Sequence, residues 1–291
     1  MGAAAKRLRL AQPTVSEQIR ALEEAMEVKL FERQGRGLVL TEAGRVAFRY
    51  AEDIFSLGRE MQTALRGEVT GRPLQFHVGV ADVVPKLVAF HLLAPALSLS
   101  QKVLLTCEED RAESLLARLA AHELDVVLSD APAQPAANVH MFSHLLGECD
   151  VTFFATRETA GNLRKRFPAS LHEQPFLMPT QGTALRRNLD IWFDQNNISP
   201  DVVAEFDDSS LLKTFAQAGL GAFAAPSIIS KEVTRQHDVR PIGSATDLKE
   251  RFYAISAERR LRHPAVVAVT ENARNELFKP QGGARPIAPT G

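Results

Sequence analysis

Long apolar runs are missing from this 291-residue chain. The most apolar stretches, Val151 to Ala155 and Leu220 to Pro226, fall far short of the roughly 20 residues a membrane helix needs, so no membrane partner is expected. Cysteine is scarce: Cys107 and Cys149 cannot build a disulfide framework, lack metal-ligand spacing, and read as small buried residues. A basic start followed by an apolar run and a cleavage site is absent, so the expected compartment is the cytoplasm. Enzyme signatures are also missing. There is no G-x-S-x-G, no P-loop and no histidine pair at zinc spacing. Gly219-Leu220-Gly221-Ala222-Phe223-Ala224 fits a dinucleotide string, but it follows a helix and opens a strand, which is the wrong context. No excess of either charge sign exists overall, with 34 Lys/Arg against 35 Asp/Glu. What remains is ordinary globular material, 45% apolar and 24% charged, which excludes disorder over most of the chain.

The first 50 residues depart from this balance, with nine Lys/Arg against six Asp/Glu, a mild hint of a polyanion partner. An alanine-rich helix, Ala3 to Leu8, is followed by an interruption at Leu10-Ala11-Gln12. Pro13 then starts a second helix, in which Val15, Ile19, Leu22 and Met26 make an apolar stripe of helical period. Its other face presents Thr14, Ser16, Glu17, Gln18 and Arg20. Short and forked polar groups at the start of a helix suit base edges and phosphates in a major groove, although any surface helix exposes polar residues. Two short apolar runs around Gly35-Arg36-Gly37 make a hairpin with Arg33 and Arg36 at its tip, where arginine grips phosphate. Thr41 is a good N-cap for the next helix. There Ala43, Ala47, Tyr50, Ile54, Leu57, Met61 and Ala64 are spaced alternately by four and three, a heptad seam for self-association.

The order helix, turn, proline-started helix, arginine-tipped hairpin and heptad rod carries a resemblance. The runs Gln12-Pro13-Thr14-Val15-Ser16-Glu17-Gln18-Ile19, Leu30-Phe31-Glu32-Arg33 and Gly35-Arg36-Gly37-Leu38-Val39-Leu40-Thr41 resemble the LysR-type transcriptional regulators. The resemblance implies residues 1–41 as a winged helix-turn-helix, 42–72 as linker helix and hinge, and 73–278 as a two-lobed effector domain. Its lobes would be 73–147 with 257–278, and 148–256, similar to periplasmic solute-binding proteins. It also implies a homodimer or homotetramer on a pseudo-palindromic double-stranded DNA operator, with RNA polymerase as a further partner. DNA contacts are then expected from Gln12, Pro13, Thr14, Ser16, Glu17, Gln18, Arg20, Arg33 and Arg36. Family members carry one more helix ahead of the alanine-rich one. The DNA-binding domain is therefore expected to be incomplete, with a misplaced translation start as the expected cause.

After the Gly67–Pro73 linker the pattern changes to strands alternating with helices, which predicts an α/β effector domain with a largely parallel sheet. The Pro/Gly-rich tail, 279–291, reads as disordered. Ligands of such sheets sit beyond the carboxyl ends of strands, here at Asp82, Ser129, Asp130, Thr180, Asp207 and Asp208, with Ser209 next in line. Capping of the following helix explains each of these singly as well as ligation does. Their acidic bias as a set suits a hard cation. Stretches such as Val78-Gly79-Val80-Ala81-Asp82 and Glu205-Phe206-Asp207-Asp208-Ser209 look like the subgroup that activates a sodium/proton antiporter gene in response to sodium. That likeness implies a sodium or lithium effector, with Asp82, Asp130 and Asp207 as the ligands to examine, and no resident cofactor. Three alternatives stay open: a regulator sensing a small organic ligand, a solute-binding protein without a DNA role, and an α/β enzyme.

Overall fold

The computed structural model describes Ala5, residues 10–34, 37–65, 73–134, 141–258, Leu261 and 263–279. Two compact units divide the chain, Met1–Gly71 and Arg72–Gly291, and each is described by itself.

The first unit begins with α1, Gln12–Met26, with proline in its first turn and a left-handed Glu27 ending it at φ 55°. Val15 faces inward, but Leu22 and Met26 of the expected stripe are exposed. Glu23 turns inward instead. Its Oε1 accepts the backbone N–H groups of Leu30 at 2.8 Å and Phe31 at 3.1 Å, and Lys29 Nζ lies 2.9 Å from Oε2. Lys29 first, then the Leu30 amide, hold this carboxyl below its ordinary value. One acidic side chain thus ties α1 to the hairpin of β1, Phe31–Gln34, and β2, Gly37–Leu40. The long helix α2, Glu42–Leu65, follows. Thr41 caps it as expected, its Oγ1 accepting the Gly44 N–H at 2.9 Å.

Gly44 is required by close approach. A Cβ there would stand 1.9 Å from the Leu30 carbonyl oxygen, a backbone atom that cannot swing aside. Gly44→Ala is expected to push the hairpin off α2 and cost about 1–3 kcal/mol or more as overpacking. A melting temperature for the first unit within a degree of wild type would contradict it. The Ala3–Leu8 helix (apart from a buried helical Ala5), Arg36 and most of the 67–73 linker lie outside the described residues.

The second unit is built on a six-stranded sheet. In chain order come β3 (Leu74–Ala81), α3 (Lys86–Leu93), β4 (Val103–Asp110), α4 (Ala112–Ala120), β5 (Val126–Ser129) and β6 (Phe142–Thr156). These are followed by α5 (Arg157–Lys165), β7 (Pro175–Pro179), α6 (Ala184–Gln195), β8 (Asp201–Phe206) and α7 (Ser209–Gln217). The series ends with β9 (Phe223–Pro226), α8 (Ser230–His237), β10 (Val239–Ser256) and α9 (Pro264–Asn272). The sheet order is β4-β3-β5-β10-β6-β9, while β7 and β8 form a separate parallel pair.

The expectation of a largely parallel sheet is corrected here: the sheet is mixed. β3 runs parallel to β4 and β5, but β10 is antiparallel to both β5 and β6, and β6 is antiparallel to β9. The cause is the pair β6 and β10, 15 and 18 residues long, which carry the chain between two apolar clusters and back. One cluster gathers Phe76, Val126, Leu128 and Val266, and the other Phe153, Phe176, Trp192 and Phe193. Trp192 is core, as expected, with its indole N–H donating to Asp247 at 3.1 Å. Cys149 is buried, which pushes its thiol up to about 12, but Cys107 is exposed. It sits on the edge strand β4, where only one neighbour covers the backbone. Except for Lys279, the 279–291 tail is outside the described residues.

Candidate nucleic-acid interface and effector cleft

The first turns of α1 expose Gln12, Pro13, Thr14, Glu17 and Gln18, with Arg20 exposed and Ser16 half-buried. Val15 and Glu23 turn inward. The expected polar face is therefore a solvent-facing surface opposite the side that packs. Arg33 is exposed at the end of β1, paired in register with Leu38, and Arg36 lies outside the described residues. Along α2, Tyr50, Ile54, Leu57 and Met61 are all exposed, Ile54 and Leu57 at 67% and 68%. Phe48 and Phe55 are exposed too, so the stripe is wider than the heptad reading alone. Contiguous apolar exposure on this scale marks an interaction surface.

In the second unit a cleft opens between the two apolar clusters. Asp130, just past β5, and Asp207, just past β8, line it together with Ser209. Asp82, Ser129, Thr180 and Asp208 do not line it. Among the described residues, no three His, Cys, Asp or Glu side chains gather as a metal-holding group, so Asp82, Asp130 and Asp207 do not converge as a cation cage. Capping accounts for two of the acids. Asp208 Oδ1 accepts the Ser210 N–H at 2.6 Å and caps α7, and Lys86 Nζ lies 3.8 Å from it. Asp130 Oδ2 accepts the Ala184 N–H at 3.1 Å, the first residue of α6, while Thr183 caps that helix through the Arg186 N–H. Burial raises the Asp130 carboxyl above its ordinary value.

Two charged side chains that sequence reasoning missed define the interior of the cleft. Glu250, on β10, is 3% exposed and its Oε2 has no hydrogen-bond partner. Burial, and then the negative Asp130, push it up to about 8. Lys213, on α7, is 6% exposed and donates to the Ser209 carbonyl at 3.1 Å and Oγ at 3.2 Å. Burial lowers it to about 8. Val83, Leu185, Phe206 and Leu212 supply much of the apolar wall. The signal for Glu250 was present in the alternation Leu248, Glu250, Phe252, Ala254, in which every other residue is buried. It was hidden by Lys249 and Arg251, which make the run look like a solvated charged face.

A polar-faced helix followed by a two-stranded hairpin, joined in one chain to an α/β domain with a central cleft, is the arrangement of a regulator of transcription. Residues 1–45 match the bacterial regulatory helix-turn-helix proteins of the lysR family, and residues 71–277 match the LysR substrate binding domain. The transcriptional activator protein NhaR of Escherichia coli strain K12 is 36% identical over 277 residues, covering 95% of this chain and 91% of NhaR. Among solved structures, CbnR, a LysR family transcriptional regulator, superposes with a TM-score of 0.58 at 23% identity over 94% of each chain. DarR of Vibrio fischeri, solved in complex with DNA, gives 0.53 at 19% identity over 94% of this chain and 92% of DarR. The chain belongs to the LysR family of transcriptional regulators.

Proposed function

We propose that this regulator is an activator of a sodium/proton antiporter gene, cued by sodium or alkaline stress. The observation that carries this reading is the 36% identity to the activator NhaR over 95% of the chain. In this proposal residues 1–41 read DNA, 42–72 link and dimerise, and 73–278 bind the effector in two lobes, 73–147 with 257–278 and 148–256. Two copies set two α1 helices in major grooves of a pseudo-palindromic site, about one helical turn or a multiple apart. Effector in the cleft shifts the equilibrium between lobe arrangements by its differential affinity for them. Activation brings RNA polymerase in as a partner, and a DNA reader of this kind works in the cytoplasm.

Thr14, Ser16, Glu17 and Gln18 are assigned to base edges, Glu17 as an acceptor for cytosine N4–H, and Gln12, Arg20, Arg33 and Arg36 to phosphates. Pro13 sets the helix start. Replacing Arg20 or Arg33 by alanine is expected to weaken binding alike on all sequences and to lower the salt slope by about 0.9 for each phosphate no longer neutralised. Fluorescence anisotropy across a salt series reads this directly, and an unchanged slope in both variants removes the assignment. For the cue, footprints in sodium and in potassium at matched ionic strength should differ. Identical footprints would eliminate the specific-ion reading. A second reading, a small organic effector, is favoured by the largely apolar cleft wall and by the buried Lys213.

A further inference from the structure

The cleft carries a buried acid and a buried base, each with hydrogen-bonding capacity to spare. Glu250 Oε2 is buried without a partner. An ammonium group has three donors, and the hydrogen bonds of Lys213 use two, both on Ser209. A buried acceptor and a buried donor are each costly when unmatched, and here both line one cavity whose walls are largely apolar. Asp130 adds a second carboxylate beside Glu250, with one oxygen engaged by Ala184. A bare cation would leave Lys213 facing another positive charge. An organic acid would set a negative charge against Asp130 and leave Glu250 Oε2 without a partner. A molecule bearing both charges satisfies each group and enters the low-dielectric cleft with no net charge.

We propose that the cleft takes a small zwitterion, a primary ammonium and a carboxylate on a short aliphatic body, with the ammonium on Glu250 and Asp130 and the carboxylate on Lys213. This rests on the second reading above, an organic effector in the cleft, and stands apart from the sodium cue. The aliphatic body lies against Val83, Leu185, Phe206 and Leu212. Other charges at the margins complete the field: Asp207 on the lining, Lys86 paired with Asp208, Arg187 acting on Asp130, and His237 acting with Lys213.

The test is thermal unfolding of the full chain at neutral pH with glycine, L-alanine, β-alanine and γ-aminobutyrate. Propylamine alone, propionate alone, and sodium against potassium chloride at matched ionic strength form separate arms. At least one amino acid is expected to raise Tm by several degrees at saturation, with propylamine and propionate far weaker. Glu250→Gln and Lys213→Met should each weaken that ligand about tenfold or more. Should one variant fail to fold, the other carries the test. No shift from any amino acid, or an equal shift from propylamine alone, overturns the zwitterion. A sodium-specific shift lost in Glu250→Gln also overturns it, but keeps the cleft as the effector site. An amino-acid shift indifferent to both variants overturns the cleft assignment itself.

Discussion

Ile54→Glu combined with Leu57→Glu is expected to convert the protein to monomers and to weaken operator binding about 100-fold or more. Both side chains are two-thirds exposed on α2 within the heptad stripe that Tyr50 and Met61 extend. Burying a leucine or isoleucine is worth about 1.5–3 kcal/mol, and each copy contributes several such residues to the seam. Glutamates replacing them would oppose like charges across that seam and forfeit the burial. The loss in DNA affinity follows from linkage. Two readers on one rod bind the second half-site intramolecularly, and that avidity is worth about 100-fold to 10,000-fold. Sedimentation should show the mass of a single chain. Binding to a single half-site should be unchanged, because α1 and the hairpin are untouched. A variant that remains dimeric, or that loses half-site binding as well, would refute the role given to α2.

The stability of the second unit is expected to pass through a minimum near pH 8. Glu250 is raised from 4.5 to about 8, so its stabilising contribution is full below pH 4.5 and is lost as pH rises through about 8. Lys213 is lowered from 10.5 to about 8, so its contribution is present above pH 10.5 and is lost as pH falls through about 8. Both contributions are therefore weakest together in mildly alkaline solution. Burial is the main cause in each case, and each limb of the curve is worth about 3–5 kcal/mol at roughly 1.36 kcal/mol per unit. Glu250 and Lys213 also act on each other, each favouring the other's charged form, and Asp130, Asp208 and Lys86 act on the pair. Denaturant unfolding followed by the fluorescence of Trp192, the single tryptophan, reads the effect across a pH series. Glu250→Gln should flatten the acid limb and Lys213→Met the alkaline limb. Coincident profiles for the wild type and both variants would show that this pair does not set the pH response.

Much of the first unit was legible because its signals are local. Pro13 at the helix start and Thr41 as cap each act within a few residues, and α1, the strands β1 and β2, and α2 lie where the local pattern puts them. The stripe on α1 was legible only in part, since period alone does not reveal that a carboxylate at position 23 meets two backbone N–H groups from the next element. In the second unit α5 and α8 are faint in the sequence, because each is short and fully buries a single side chain, Ala160 and Val233. The first half of β10 is equally faint. Pro241, Gly243 and Ser244 look like loop, yet they pair with β6 across register shifts that absorb the irregularity.

The chain of amino acids by itself established the order of parts: a short polar-faced helix, an arginine-bearing hairpin, a heptad rod, then strands and helices in alternation. Those features depend on spacing between near neighbours, which a linear string records faithfully. Tertiary structure decided the polarity of the sheet and the make-up of the cleft. Glu250 and Lys213 are 37 positions apart on different elements, and only the pairing of β10 with β6 and the packing of α7 bring them to one cavity. A charge inside a charged run reads as solvated until the fold removes its water.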